Sequence, residues 1–169
     1  MKGNFWITYV ILVIAQMILY IYCRFTPYII LSLLPVMILC LPTSIGSFAA
    51  QLIAFGTGLV VDYFAEGVIG INAAALLPVA LIRRPLISLM FGSEPFERQE
   101  GISIRKYGFA KVSLAMLIAI VLFLIIYILL DCAGTRPAWF IFLALACSTA
   151  ASYVMSLLIV NQLTYDDRR

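Results

Sequence analysis

Charged residues cut this chain into long neutral stretches, and the length of each stretch predicts an element. Phe5 to Cys23 is 19 residues without a charge, about 28 Å as a helix, which matches a hydrocarbon core of about 30 Å. Phe25 to Val61 is 37 uncharged residues, about 55 Å if helical and too long for one crossing. Pro42-Thr43-Ser44 divides that run, because proline lacks an amide donor and disfavours helix in the residue before it. The first three spans are therefore expected at 5–23, 27–41 and 45–61. Asp62 and Glu66 interrupt, and the neutral run Gly67 to Ile82, short for a full crossing, predicts a fourth span at 67–82 that is either kinked, since it contains Gly70, Asn72 and Pro78, or extended by residues on either side. Residues 83–111 form the one long polar segment and read as a loop. Val112 to Leu130 predicts a fifth span at 112–130, and the uncharged run from Pro137 to Tyr165 a sixth at 138–160. Asp166-Asp167-Arg168-Arg169 reads as a solvated tail. The expected fold is one all-α integral membrane domain over 1–169, with six transmembrane helices.

Composition agrees. The apolar set makes up 64% of the 169 residues, against roughly 45 to 50% in a soluble domain, and the mean hydropathy is +1.11. Six spans of about 20 residues leave no room for a folded soluble domain. The start of the chain imitates a signal peptide, but Tyr20-Ile21-Tyr22-Cys23-Arg24 offers no small-x-small cleavage site, so the first run is expected to be a retained anchor.

The net charge of +3 is too weak to argue for a nucleic-acid partner; its distribution is more informative. Cytoplasmic segments of membrane proteins hold the excess of Lys and Arg. With both termini inside, the inner segments carry nine (Lys2, Arg83, Arg84, Arg98, Arg105, Lys106, Lys111, Arg168, Arg169) and the outer ones two, Arg24 and Arg136. Both termini and the 83–111 loop are thus expected on the cytoplasmic side. A re-entrant hairpin in place of spans two and three would leave that orientation unchanged.

The absence of His excludes imidazole metal ligands and His-based triads. Four separated cysteines form no CxxC pair; Cys40 and Cys147 lie in apolar runs, while Cys23 and Cys132 would share the outer side, where a disulfide has no independent support. No cofactor or catalytic residue is expected.

Gly46, Ala50, Ala54 and Gly58 recur at four-residue spacing and line one face of span three. Small residues let helix backbones approach closely in lipid, so the stripe reads either as an internal contact or as a docking face for a partner's helix. Ala144, Ser148, Ser152 and Ser156 form a similar stripe on span six, whose hydroxyls have the option of bonding across helices. Asp62 is open to three readings: a solvated headgroup-zone charge, an inward group bonding the free amides at the start of span four, or a proton-transfer group. Gln16 and Asn72 need partners if buried, and a structural bond suits them better than a ligand contact. The basic loop, with Arg83, Arg84, Arg105 and Lys106, is a candidate contact for anionic lipid or for a cytoplasmic protein, and Pro85 to Phe91 reads as a short interfacial piece.

Three segments together carry a family resemblance: Gly58-Leu59-Val60-Val61-Asp62-Tyr63-Phe64, Gly70-Ile71-Asn72-Ala73-Ala74-Ala75, and Ala80-Leu81-Ile82-Arg83-Arg84-Pro85. With Gln16, Thr26-Pro27-Tyr28 and the Pro42 turn, the stretch from Phe25 to Pro85 resembles the rod shape-determining MreD family in its compact, Bacteroidetes-type form. Arg84 departs from the usual single Arg before Pro, and spans five and six match by pattern only. The resemblance implies a fold similar to the substrate-binding subunits of vitamin (energy-coupling factor) transporters. It also implies an inner-membrane, non-enzymatic role in cell elongation, in association with the membrane helix of MreC, with RodA and its transpeptidase, and with MreB filaments on the cytoplasmic face. Residues and resemblance together favour the Gly46 to Gly58 seam as a partner interface and Asp62, Gly70 and Asn72 as organisers of the turn between spans three and four. The competing expectation is a transporter subunit that binds a small molecule.

Overall fold

In a computed structural model of the chain, the described residues are 2–22, 29–92, 95–96, 107–132 and 136–165. They form α1 (Lys2–Tyr22), α2 (Leu34–Leu39), α3 (Ser47–Val61) continued by a π-helical turn (Asp62–Glu66), α4 (Ile71–Phe91), α5 (Phe109–Cys132) and α6 (Ala138–Tyr165), with no strand among the described residues. The five long helices are each long and apolar enough to cross a membrane. Their outward faces fit that reading. On α1 the exposed side chains are Trp6, Ile7, Val10, Ile11, Ile14, Ile18, Ile21 and Tyr22, while Gln16 is fully buried, the reverse of an amphipathic helix on a soluble protein.

Span two departs from the expected 27–41 helix. Residues 29–33 are non-helical and only Leu34–Leu39 form a helix, with Pro35 in its first turn. Every residue from Ser32 to Leu41 is buried, so α2 lies at the centre of the bundle against α4 and α5. A helix of six residues is too short to hold itself in water and is apolar all round, which is the signature of a core element.

Hydrogen bonds define the two ends of the bundle. Tyr20, in the last turn of α1, meets Asn72 at the start of α4. At the opposite end Arg83 reaches Pro42, and the Thr43 hydroxyl donates to the Pro95 carbonyl at 2.7 Å. Tyr22 and Pro42 therefore lie toward opposite ends of the bundle, and the described residues 29–41 before Pro42 are a broken element with one short helix.

Span four is also longer than its neutral run. α4 continues to Phe91, past Pro78 and Pro85, so 83–91 is helix where a loop was expected. The piece Pro85 to Phe91 is continuous with α4, with Leu86, Ile87 and Phe91 buried. Each proline leaves the carbonyl four residues earlier without its usual donor, which membrane helices tolerate when the surroundings compensate. α5 runs from Phe109 to Cys132, past the charges at Lys111 and Asp131, and α6 runs on from the expected end at 160 to Tyr165, the limit of its neutral run. α4 packs between α3 and α5, and α6 lies on α5.

Candidate functional site

A few polar residues are buried within the apolar core, and the candidate site is drawn from them: Gln16, Asp62, Asn72, Arg83, Ser148 and Ser152.

Asp62 is fully buried and organises the entry to α4. The residue preceding that helix is Gly70, at φ +108°, a conformation that side-chain-bearing residues rarely adopt. A glycine cannot cap the helix with a side chain, and the cap comes instead from Asp62 across the loop. Its Oδ2 accepts from the Gly70 N–H at 2.9 Å and the Ala73 N–H at 3.2 Å. Its Oδ1 accepts from the Asn72 N–H at 3.0 Å and the Asn72 side-chain amide at 2.9 Å. A carboxylate at a helix N-terminus is favoured by the free amides and the helix dipole together. Of the three readings open for Asp62, this geometry matches the inward one.

Gly58 sets the distance at which this happens. A Cβ added there would lie 2.9 Å from the Asn72 carbonyl carbon and closer still to the Ala73 backbone. Ala50, Ala54 and Gly58 are buried and Gly46 is exposed. The face that the four-residue spacing offered to a partner's helix is thus buried along most of its length within this chain, with Gly58 set against α4.

Arg83 is 1% exposed and points inward, not toward lipid or a cytoplasmic partner. Its Nε donates to the Leu39 carbonyl at 3.3 Å, and its Nη2 donates to the carbonyls of Leu41 and, at 3.1 Å, Pro42. These belong to the C-terminal end of α2, where helical carbonyls have no donors of their own. Arg84, the next residue, is exposed, with its guanidinium 5.5 Å from the Phe96 ring centroid. Arg105, Lys106 and Cys23 lie outside the described residues; Cys132 is buried at the end of α5.

The non-helical stretch before α2 has side chains in place of a ladder. Gln16 on α1 donates its amide to the Leu31 carbonyl at 2.9 Å and accepts from the Leu33 N–H at 2.8 Å, so its amide pairs as a neighbouring peptide group would. From α6, Ser148 accepts from the Ile30 N–H at 2.9 Å, while Ser152 accepts from the Ser32 N–H at 3.0 Å and donates to the Ile30 carbonyl at 3.2 Å. Irregular backbone at membrane depth persists only where protein satisfies it, and these three side chains do so. The sequence signals were a single amide in an apolar helix and serines at four-residue spacing; neither indicates that its partner is backbone. Replacing Gln16 by Leu is expected to leave two buried backbone groups unbonded and to lower unfolding stability by about 2 to 4 kcal/mol, measured as a loss of midpoint in thermal unfolding of the purified protein.

A further polar contact joins α1 to α3. The Thr57 hydroxyl donates to the Ile53 carbonyl at 2.7 Å, which makes Tyr9 the donor in the 2.8 Å bond to Thr57.

Comparison of the chain with models of known protein families, with curated proteins and with solved structures finds no match.

Proposed function

We propose that this chain is a non-enzymatic scaffold of the MreD type in the bacterial inner membrane, with both termini cytoplasmic. In this reading it binds MreC and helps to position peptidoglycan synthesis by RodA and its transpeptidase along the cell body. The observation that carries the reading is the convergence of the motif segments on which the resemblance rests. Gly58 lies against Ala73, Asp62 bonds Gly70, Asn72 and Ala73, and Arg83 on the same helix anchors the Pro42 turn. The motif segments thus hold α4 at two places, its start through Gly58 and Asp62 and its middle through Arg83. The alternative, a small-molecule-binding transporter subunit, needs polar groups turned toward a ligand. Here Gln16, Asp62, Asn72, Arg83, Ser148 and Ser152 are engaged by the chain's own atoms, which supports a structural interior.

Depletion of the protein from the bacterium that makes it tests the reading. The scaffold account expects rods to widen and round up while nutrient uptake stays normal. Cells that keep their shape and regain growth on a supplied vitamin would favour the transporter account instead.

A further inference from the structure

Between α5 and α6 a groove of about 440 Å³ opens on the outer surface, lined by Leu117 and Val121 on one side and by Phe142, Ala146 and Ala150 on the other. The helices are antiparallel there, since Ser113 near the start of α5 bonds Tyr153 in the second half of α6. From Tyr153 to Phe142 the groove extends eleven residues along α6, about 16 Å, close to one leaflet of a hydrocarbon core about 30 Å thick.

Its polar groups are grouped toward one end. Ser113 and Tyr153 share one hydrogen bond between two hydroxyls, so one O–H of the pair is left to donate outward. Thr149, also lining the groove, has a buried hydroxyl oxygen with no hydrogen-bond partner among the described residues. Two residues before Ser113, toward the helix start, stands the exposed Lys111, next to the first amides of α5. Those amides carry the positive end of a 24-residue helix. Along the bundle axis the order is cation, hydroxyl donors, apolar channel. A glycerophospholipid presents the complementary order of phosphate, ester carbonyls and acyl chain. A purely apolar helix in the groove would leave the hydroxyls without acceptors.

We propose that the α5–α6 groove binds one acidic phospholipid, with an acyl chain along Ala146 and Ala150, an ester carbonyl on the Ser113–Tyr153 hydroxyl pair, and the headgroup phosphate at Lys111 and the α5 amides. This site does not depend on the scaffold reading or on which side of the membrane α5 begins.

The test is native mass spectrometry of the full-length protein in mild detergent, titrated with phosphatidylglycerol or with phosphatidylethanolamine of the same chains. The site predicts one retained phosphatidylglycerol, bound about fivefold more tightly than phosphatidylethanolamine, the factor that one Lys near a surface supplies. Lys111→Gln should bring that ratio close to one, and Ala150→Phe should remove both adducts. Equal retention of the two lipids by the wild type, or an adduct that survives Ala150→Phe, overturns the proposal. So does an Ala150→Phe variant that keeps the lipid but loses a co-purifying protein or changes oligomeric state, because the groove would then hold a helix. If Ala150→Phe fails to fold, photocrosslinking the wild type with a phosphatidylglycerol carrying a diazirine in its acyl chain decides. Labelling at Val121, Ala146 or Ala150 supports the site, and labelling confined to other faces refutes it.

Discussion

Replacing Asp62 by Asn is expected to cost about 3 to 5 kcal/mol of unfolding stability. The carboxylate accepts four N–H donors, two on each oxygen. An Asn side chain keeps one of those oxygens and turns an NH2 group toward the other two donors. Two charge-assisted bonds are lost, and the amides they served stay buried where no water replaces them. The measurement is the thermal midpoint of purified protein, with abundance in membranes as a second readout. A wild-type midpoint together with wild-type abundance would show that Asp62 does not hold the entry to α4.

Gly58→Ala is expected to cost about 2 to 3 kcal/mol, the upper part of the roughly 1 to 3 kcal/mol range for forcing extra carbon into a well-packed contact. The new methyl group meets the Ala73 backbone, which is not the end of a flexible side chain and cannot swing aside. α3 and α4 must separate, and the Asp62 cap opens with them. Gly46→Ala, on the same stripe, is the control. Nothing lies within 4 Å of the Cβ it adds, and Gly46 is the N-cap of α3, so only the cap preference is lost and the cost should stay under about 1 kcal/mol. Equal midpoints for the two variants would mean that the stripe is not a graded contact with α4.

These two expectations rest on features that were readable in the chain. A lone carboxylate ending a neutral run, followed by Gly and Asn, points to a capped turn because few other groups can satisfy helix amides in lipid. Small residues at four-residue spacing point to a close helix contact, though not to whose helix makes it. Arg83 was harder to read. A charge normally ends a span, so counting charges stopped the fourth helix at Ile82, while the guanidinium actually serves the carbonyls of Leu39, Leu41 and Pro42 more than 40 residues earlier in the chain.

The broken passage before α2 was not legible for a similar reason. An apolar run such as Ile29 to Leu41 suits a buried helix and a buried extended segment equally. The choice depends on Gln16 before it and on Ser148 and Ser152 about 120 residues after it. Neutral-run lengths located α1, α3, α5 and α6 well because a membrane constrains those helices mainly by length and apolarity. α2 is constrained by packing inside the bundle, and its length carries no such signal.

The central claim, that this chain acts as a scaffold for cell elongation, is tested most directly by affinity purification of the tagged protein from gently solubilised membranes, with co-purifying proteins identified by mass spectrometry. The account predicts recovery of MreC together with RodA or its transpeptidase. Recovery of ATPase and coupling subunits in their place would contradict it and assign the chain to transport.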